Sequence, residues 1–517
     1  MIRKKISLIV LALVIVLCLI LLVACKTENK TEKFTLTVTA AEGGTVSSTG
    51  GDYDAYDSVT VTATPNDSYD FDGWYEGNTK VSANKTYNFY MPDKNLSLEA
   101  RFVSFHSGNG TSVNPYVIMT KEQLINFANL VNTGENYSLN KYFALGADVN
   151  LGNMEWTPIG CDQDKKAFQG NFDGQDYKVT NFKITKVHFA VGFFGYTYNS
   201  TIKNLSVTNC TINITNQSTI YAGGLIGCNE NSTISQCNAK GNVSVNCDYA
   251  SVGGLIGENS GNITNCYATV NILVTSKSSI DDFSCVGGLI GRIYSCDNIV
   301  NSYATGDISY TGGHIYLGGL VGYYNNLDVD ITNCYATGNI SAEGSVGGVG
   351  GLLGYFLSNA DINIVNCYAT GNIDAKNITY VGGLIGRIIG NVTNCYATGN
   401  VIIDGYGTVG GLIGRIGGNL TNCYATGNVI INAIIDGDGI GGGLIGSNYG
   451  DITNCYCYDG QTVDANTSNN LGNPCSLFDL NSQNFYVSTL NWSTDIWDFT
   501  NLDFENGKYP KLKWQLS

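Results

Sequence analysis

Residues 381–401 read Val-Gly-Gly-Leu-Ile-Gly-Arg-Ile-Ile-Gly-Asn-Val-Thr-Asn-Cys-Tyr-Ala-Thr-Gly-Asn-Val, and this pattern recurs along most of the chain. A unit of about 30 residues that holds two or three short strands cannot bury its own apolar side, so neighbouring copies must stack. A Gly followed by two apolar residues and a second Gly begins at nine positions: Gly192, Gly224, Gly254, Gly288, Gly319, Gly351, Gly383, Gly411 and Gly443.

Alternation within one copy predicts which residues point into such a stack. Residues of a strand divide between two faces, here Cys395, Ala397, Gly399 and Val401 on one and Tyr396, Thr398 and Asn400 on the other. We expect the small residues to point inward and Tyr outward. Adjacent Leu384 and Ile385 cannot both point inward from a straight strand, so the chain must bend at the Gly residues beside them. The sequence predicts an all-β fold: a right-handed parallel β-helix of about nine repeats over residues 191–458, preceded by a small β domain.

The Gly-Gly-Leu-x-Gly copies resemble the GLUG repeats of bacterial surface proteins over roughly residues 190–458, although the first copy reads Val191-Gly-Phe-Phe-Gly195. The resemblance implies a surface protein. GLUG repeats also occur beside the zinc peptidase domain of some immunoglobulin-cleaving surface proteases, which needs His-Glu-x-x-His to hold zinc. His106, His188 and His314 do not form that motif, so we expect no such domain here.

Residues 34–103 predict the small β domain. Phe34 to Thr39 and Ser58 to Ala63 alternate between apolar and polar residues, as strands do. The aromatic cluster around Phe71-Asp-Gly-Trp74 resembles the divergent internalin-type B-repeats of bacterial surface proteins. That resemblance implies a spacer or a weak interaction unit without catalytic residues, and we expect Phe71 and Trp74 to lie in its core.

The N-terminus predicts export. Three basic residues precede an apolar run from Ile6 to Ala24, which ends in Leu22-Val23-Ala24-Cys25. This ending resembles a lipobox, which implies a signal peptide over residues 1–24, a lipid on Cys25 and a tether over residues 25–33. An uncleaved transmembrane helix over residues 6–24 is the alternative. The expected location is the extracellular face of a bacterial membrane.

The two flanks of the repeats are expected to cap the solenoid, because open sheet edges promote aggregation. At the N-terminal flank, residues 104–190, Thr120 followed by Gln123 predicts a short capped helix. At the C-terminal flank, residues 459–517, the segment that includes Trp492, Trp497 and Trp514 is expected to close the other end.

The acidic residues indicate neither a metal site nor a catalytic site. Asp148 and Asp173 are interpreted as turn residues in preference to calcium ligands. Carboxylates do not recur at a fixed repeat position, and we therefore expect no catalytic residue, no metal and no cofactor. A cell-envelope polysaccharide lyase or hydrolase on a β-helix scaffold is kept as the alternative.

One repeated outward position supplies the candidate binding surface, because stacked rings can receive sugar faces or apolar protein residues. Its members are Tyr267, Tyr303, Tyr335, Tyr368, Tyr396, Tyr424 and Tyr456. The formal net charge of −16 argues against nucleic acid as a partner. The expected function is adhesin-like binding of host, matrix or glycan ligands by a monomer anchored to the membrane through Cys25. A structural spacer is the second alternative.

The cysteines are expected to be mostly free thiols, although exported proteins usually form disulfides. Of 17 cysteines, Cys18 lies in the predicted signal and Cys25 would be lipidated, which leaves an odd number, 15. Side chains at one position of successive parallel coils project side by side, whereas a disulfide needs converging vectors. We expect a ladder of thiols at Cys266, Cys334, Cys367, Cys395, Cys423 and Cys455.

Overall fold

A computed structural model describes residues 10, 12–16, 32–66, 69–160, 166–216, 218–277, 279, 282–295, 298–324, 330–356, 362–432, 439–464, 467–468 and 471–516. The chain divides into two compact units, Met1–Val103 and Ser104–Ser517. The predicted lipobox and Cys25 lie outside the described residues, so lipidation stays a prediction. Within the described residues, no helix is long and apolar enough to cross a bilayer.

The first unit is a small β domain, as predicted. Its strands are β1 Lys33–Ala40, β2 Gly44–Val46, β3 Gly50–Asp54, β4 Ser58–Pro65, β5 Tyr69–Glu76, β6 Thr79–Ser82, β7 Thr86–Tyr90 and β8 Leu96–Ser104. They form a five-stranded sheet in the order β3-β1-β8-β5-β6 and a three-stranded sheet in the order β2-β4-β7. Phe71 and Trp74 are buried in its core with their rings in edge contact at 5.9 Å, which confirms their predicted place.

The second unit is a parallel β-solenoid whose coils, from Ala190 onward, pass through four sheets. Sheet 1 contains Ala190–Val191, Ile220–Gly223, Ala250–Gly253, Ser284–Gly287, His314–Gly318, Val346–Gly350, Tyr380–Gly382, Gly407–Gly410, Gly439–Gly442 and Thr467–Ser468. Sheet 2 contains Phe194–Tyr198, Ile226–Glu230, Ile256–Ser260, Ile290–Ile293, Val321–Tyr324, Leu353–Phe356, Ile385–Ile388, Ile413–Ile416 and Ile445–Asn448.

Sheets 3 and 4 complete each coil. Sheet 3 contains Tyr116–Ile118, Tyr142–Leu145, Asn171–Asp173, Thr201–Lys203, Thr233–Ser235, Ile263–Thr264, Asn298–Val300, Asp330–Thr332, Asn363–Val365, Asn391–Thr393, Leu420–Thr421 and Ile452–Thr453. Sheet 4 contains Val149–Glu155, Lys178–Ile184, Ser206–Thr215, Asn238–Cys247, Tyr267–Ser276, Tyr303–Ala304, Ile308–Gly312, Tyr335–Ala336, Ile340–Glu343, Tyr368–Ala369, Ile373–Lys376, Tyr396–Ala397, Val401–Asp404, Tyr424–Ala425, Val429–Asn432, Tyr456–Tyr458, Val463–Asp464 and Asn473–Cys475. The predicted all-β solenoid of about nine repeats is confirmed.

The glycines of the repeat allow two turns of backbone to touch. In one coil, sheet 1 ends at Gly382 and sheet 2 begins at Ile385, so the expected bend lies at Gly383 and Leu384. A Cβ atom on Gly386 would lie 2.4 Å from the carbonyl oxygen of Gly354 and 2.7 Å from the amide nitrogen of Val349. Only glycine fits this approach. Leu384 and Ile385 are therefore both buried, on either side of the bend.

Asparagine makes a second turn of the coil, at a position that the spacing of the glycines does not reveal. Asn394, the Asn of Asn-Cys-Tyr, has a φ of 55°, in the left-handed region that Asn tolerates better than most residues. Its Nδ2 donates to Oδ1 of Asn366 at 3.1 Å, and Nδ2 of Asn422 donates to Oδ1 of Asn394 at 3.3 Å. Asn366, Asn394 and Asn422 therefore form a column in which the side-chain amides hydrogen-bond to one another from coil to coil.

The solenoid begins earlier than residue 191. Tyr142–Leu145 and Asn171–Asp173 already belong to sheet 3, and Val149–Glu155 and Lys178–Ile184 to sheet 4. Much of the predicted cap, residues 104–190, is therefore coil that lacks the Gly-Gly-Leu motif. The predicted helix is confirmed as α1, Lys121–Thr133, with the Thr120 capping box that includes Gln123.

The C-terminal residues form short elements after the last coils. They are helix α2, Leu477–Leu480, a π-helix, Phe485–Thr489, a two-stranded sheet of Trp497–Asp498 with Lys511–Leu512, and 3-10 helices at Phe504–Asn506 and Lys513–Leu516.

Candidate functional site

The seven predicted tyrosines lie on the outward face of sheet 4, opposite the buried cysteines. Register pairs such as Tyr335 with Tyr368 place one ring on the next. Six rings form a continuous stack with centroid separations of 4.6 to 5.0 Å and interplanar angles of 4 to 5°: Tyr267, Tyr303, Tyr335, Tyr368, Tyr396 and Tyr424. Tyr456 instead meets Phe485 edge to face at 5.2 Å. We call the seven residues the tyrosine ladder.

The C-terminal segment, residues 477–516, covers much of the tyrosine ladder. The ring of Trp497 lies 5.9 Å from that of Tyr396, and the ring of Trp514 lies 5.9 Å from that of Tyr335. The expectation of an exposed binding surface is therefore wrong for four rungs, which are 0 to 8% exposed: Tyr335, Tyr368, Tyr396 and Tyr424. The expectation that this Trp-rich segment closes the end of the solenoid is also wrong, since it packs along the side of sheet 4.

Hydrogen bonds fix the C-terminal segment at several rungs. The hydroxyl of Tyr396 donates to the carbonyl oxygen of Pro510 at 2.6 Å, and Nε2 of Gln515 donates to the hydroxyl of Tyr368 at 2.8 Å. Nε1 of Trp492 donates to the carbonyl oxygen of Asn422 at 2.9 Å. A long strip of stacked rings would otherwise expose a large apolar patch, so this covering stabilises the fold.

A different aromatic surface reaches solvent on the outward side of sheets 1 and 2. We call it the tyrosine-arginine face, and it consists of Tyr316, Tyr323, Tyr355, Tyr380, Arg387, Arg415 and Tyr449. The bend between sheet 1 and sheet 2, at Gly319 and Gly351 in these coils, turns the two sheets so that their outward side chains converge: the ring centroids of Tyr316 and Tyr355 are 4.2 Å apart. Tyr316, Tyr380 and both arginines are partly exposed, and Tyr449 is 68% exposed.

The arginines of the tyrosine-arginine face are held by its tyrosines. Nη1 of Arg387 donates to the hydroxyl of Tyr355 at 3.0 Å, and Nη1 of Arg415 donates to the hydroxyl of Tyr380 at 3.1 Å. The guanidinium carbons lie 5.1 Å and 5.7 Å from the ring centroid of Tyr380, within cation-π range. The face combines fixed positive charge with aromatic surface.

The sequence signal for this face was weak. Its sheet 2 position, the residue after Gly-Leu-x-Gly, is occupied by Cys228, Glu258, Arg292, Tyr323, Tyr355, Arg387, Arg415 and Ser447 in successive coils. A position that varies so much does not stand out as a repeated feature. Only the bend at the glycines, now located, shows that these side chains point outward together.

Comparisons with known families agree with the repeat pattern. The profile of the divergent InlB B-repeat domain matches residues 34–105, and the profile of the GLUG motif matches six segments: 218–244, 248–273, 284–309, 313–341, 377–402 and 405–430. The chain carries GLUG repeats behind a divergent InlB B-repeat domain. The sheet 2 strands that bear Arg387 and Arg415 lie inside the last two matched GLUG segments.

Three relatives share parts of this GLUG-repeat chain. A protein of Evansella cellulosilytica, named as a Gly-rich membrane protein, is 33% identical over 112 residues, 21% of this chain and 13% of that protein. Halomucin of Haloquadratum walsbyi is 36% identical over 124 residues, 21% and 1% of the two chains. The immunoglobulin A1 protease of Streptococcus pneumoniae is 26% identical over 237 residues, 39% and 12%. The chain thus spans at most 13% of the length of these relatives.

Two solved structures are similar to this chain at low sequence identity. A Bacteroides ovatus protein assigned as an immunoglobulin A1 protease is 21% identical, covering 79% of this chain and 95% of that one with a TM-score of 0.38. A further IgA1 protease structure is 18% identical, covering 82% and 26%, with a TM-score of 0.36.

One partly buried carboxylate stands out among the GLUG coils. Burial raises the pKa of Glu258 to about 7, against the attraction of Arg292 in the next coil. Sγ of Cys228 lies 3.9 Å from its Oε1, and the hydroxyl of Tyr196 donates to nearby Glu230. The described residues contain no group of three or more His, Cys, Asp or Glu that could hold a metal ion.

The two aspartates first considered as calcium ligands have other partners. Oδ1 of Asp148 accepts from the amide of Lys178 at 2.8 Å. Asp173 accepts from the amide of Gln175 at 2.9 Å and pairs with Lys203 at 3.2 Å. The contact with Gln175 fits the interpretation of Asp173 as a turn residue, whereas Asp148 joins two successive coils through Lys178.

The cysteines of Asn-Cys-Tyr form the predicted column inside sheet 4. The amide of Cys334 donates to Sγ of Cys367 at 3.4 Å, and the amide of Cys367 donates to Sγ of Cys395 at 3.3 Å. The thirteen cysteines described by the structure carry free thiols. Cys266, Cys334, Cys367, Cys395, Cys423 and Cys455 are at most 1% exposed, and the inward parity of the small residues is confirmed.

We expect these thiols to be unreactive in the folded chain and reactive after unfolding. Burial raises the pKa of Cys266 to about 12, whereas an unfolded cysteine ionises near 8.5. Because the folded state keeps the Cys266 thiol protonated, its contribution to stability is complete below about pH 8.5 and is lost as the pH rises further. Thiol titration with a chromogenic disulfide reagent should detect almost none of the six at pH 7, and at least about four in denatured, unreduced protein. Fewer would mean that the column is cross-linked.

Proposed function

We propose that this chain is an extracellular surface repeat protein with adhesin-like binding, and that its ligand contacts the tyrosine-arginine face. The observation that carries the proposal is the convergence of partly exposed Tyr and Arg side chains from two sheets, held in fixed positions by each other. The tyrosine ladder lacks this property because its central rungs are covered by residues 477–516. The names of two relatives, a membrane protein and a halomucin, support a surface location.

The chemistry of the tyrosine-arginine face suits recognition. Tyr and Arg are enriched among the residues that dominate binding energy, because each joins a large contact area to hydrogen-bonding groups. Packing also limits how much side-chain entropy is lost on binding: Tyr323 and Tyr355 are 9% and 8% exposed beneath the outer residues. A host, matrix or glycan ligand would meet a surface that is already ordered.

A binding experiment with single-ring variants tests this proposal. The full chain in detergent is applied to glycan and extracellular-matrix arrays, and the ligands found are titrated against Tyr380→Ser. We expect an affinity loss of about tenfold or more, the usual result of removing an aromatic anchor. Tyr267→Ser, which removes a half-exposed ring from the tyrosine ladder, is the matched control and should bind normally. Equal losses in both variants, or no ligand at all, would contradict the proposal.

The alternative of polysaccharide cleavage is favoured by one observation, the partly buried carboxyl group of Glu258 in register with Arg292, where burial raises its pKa to about 7. A carboxyl group of that pKa could act as an acid or a base near neutral pH. Mass spectrometry of array ligands after incubation distinguishes the two functions. Unchanged oligosaccharide lengths support binding, and shortened chains that persist unless Glu258 is replaced by Gln would support catalysis.

Attachment to the outer face of a membrane is the remaining part of the proposal. It rests on the lipobox-like ending at Cys25. Two or three acyl chains are needed for stable retention, as one chain binds a bilayer only weakly.

A further inference from the structure

Two arginines of the tyrosine-arginine face occupy the same position in adjacent coils. Arg387 and Arg415 are register partners in sheet 2. Neighbouring strands lie about 4.8 Å apart, so the two side chains leave the sheet next to each other on the same face. Like charges directly opposite each other in a sheet are destabilising. The pair therefore costs stability unless something neutralises it.

The described residues offer this pair no neutralising group. None of the ion pairs among them involves Arg387 or Arg415. Arg292, at the same repeat position, provides the contrast, because its register partner in the preceding coil is Glu258. A lone arginine in this column is thus matched by a carboxylate, whereas the doubled arginines are not. An anionic ligand would supply the negative charge that Arg387 and Arg415 lack.

The two guanidinium groups are held in place by tyrosines and still have N–H donors available for a ligand. Each has five N–H donors, and the side-chain hydrogen bonds described above are one to Tyr355 and one to Tyr380. The hydroxyls and ring faces of these tyrosines hold the groups in place, which lowers the entropy cost of binding. The exposed ring of Tyr449 lies 4.7 Å from the guanidinium carbon of Arg415 and extends the site with an apolar surface.

We propose that Arg387 and Arg415 form a subsite for the carboxylate of an acidic sugar, a uronic acid within a polysaccharide. The inference deepens the proposed function and rests on it. The two oxygens of one carboxylate can accept hydrogen bonds from both guanidinium groups, whose planar donors match that geometry. The pyranose ring of the same sugar stacks on the ring of Tyr449. An acidic peptide could satisfy the charges but has no flat ring face for Tyr449, so the observations favour the glycan.

Calorimetric titration of the full chain in detergent tests the subsite with three probes: oligogalacturonate, an uncharged cello-oligosaccharide of the same length, and poly-glutamate. We expect oligogalacturonate to bind best and its affinity to fall as salt is added. The double variant Arg387→Gln/Arg415→Gln should weaken it on the order of 10- to 100-fold, the effect of losing charge-assisted hydrogen bonds. The control Lys240→Gln/Lys376→Gln removes two exposed positive charges from sheet 4 and should bind normally.

Stability gives a second readout that does not depend on finding the natural ligand. The double arginine variant should melt at the same temperature or higher than the parent chain, because it relieves repulsion. Oligogalacturonate should raise the melting temperature of the parent chain and not of that variant. A variant that melts lower, with the ligand effect retained, would overturn the subsite.

The remaining outcomes separate this inference from the proposed function. If uncharged glycans bind as tightly as oligogalacturonate, and Tyr380→Ser weakens them while the arginine variant does not, the binding face stands and the acidic subsite is wrong. Preference for poly-glutamate over oligogalacturonate would overturn the sugar ligand in favour of a peptide. If no glycan or protein binds and Tyr380→Ser changes nothing, both proposals fail.

Discussion

Replacing Trp492 by Ala will lower the free energy of unfolding of the solenoid by about 3 to 5 kcal/mol, the cost of emptying a fully packed aromatic site. Trp492 is 2% exposed and stacks on Trp497 at 4.5 Å. It also covers Tyr396 and Tyr424 at 6.1 Å and 5.7 Å and donates its indole N–H to the carbonyl oxygen of Asn422. The substitution removes all of these contacts at once.

Urea denaturation followed by tyrosine and tryptophan fluorescence measures this loss. Phe478→Ala is the control, because Phe478 belongs to the same C-terminal segment but is 82% exposed, and its removal should change stability by less than about 0.5 kcal/mol. Limited proteolysis of Trp492→Ala should also release residues 477–516 first. If the two variants unfold at the same urea concentration, the segment does not stabilise the tyrosine ladder.

The covering of the tyrosine ladder shows what a repeat pattern can and cannot predict. Parity within a coil depends on neighbouring residues, and it correctly placed Cys395 inside and Tyr396 outside. Whether an outward side chain meets water depends on contacts with distant parts of the chain. The hydroxyl of Tyr396 bonds to Pro510, 114 residues away, and nothing near Tyr396 signals that partner. The covering could have been inferred from a different part of the sequence, because a Trp-rich C-terminal segment follows a solenoid that carries the tyrosine ladder.

The first coils were missed for a related physical reason. Phe143 and Phe172 fill the sheet 3 position that isoleucines occupy in later coils, such as Ile202 and Ile234. The chain forms strands of sheets 3 and 4 with these larger core residues, so both sheets continue where the motif does not, whereas sheets 1 and 2 begin only at Ala190 and Phe194. In sheet 3, Asn171–Asp173 pairs in parallel with Thr201–Lys203, so the strand alignment continues from the early coils into the repeats. A motif therefore marks the minimum extent of a solenoid.

Gly383→Ala will destabilise the solenoid by about 3 kcal/mol or more, because its Cβ atom would fall 2.1 Å from the carbonyl oxygen of Gly411 in the next coil. Backbone must move to relieve the clash, and that backbone is fixed on both sides. The amide of Gly383 donates to the carbonyl oxygen of Gly410, and the amide of Gly411 donates to that of Gly442, at 3.1 Å and 3.0 Å. Any shift therefore breaks hydrogen bonds in two coils.

Gly417→Ala is the matched control within the neighbouring coil. Its added Cβ would lie 3.3 Å from Cγ1 of Ile389, a side-chain atom that can rotate away, and the φ of Gly417 is outside the left-handed region. Its effect on urea denaturation, followed by circular dichroism, should stay within about 1 kcal/mol of the parent chain. The contrast isolates close backbone approach from the general effect of replacing Gly. If Gly383→Ala were as stable as Gly417→Ala, the corner would be able to open, and the convergence of sheets 1 and 2 that forms the tyrosine-arginine face would not be fixed by the GLUG glycines.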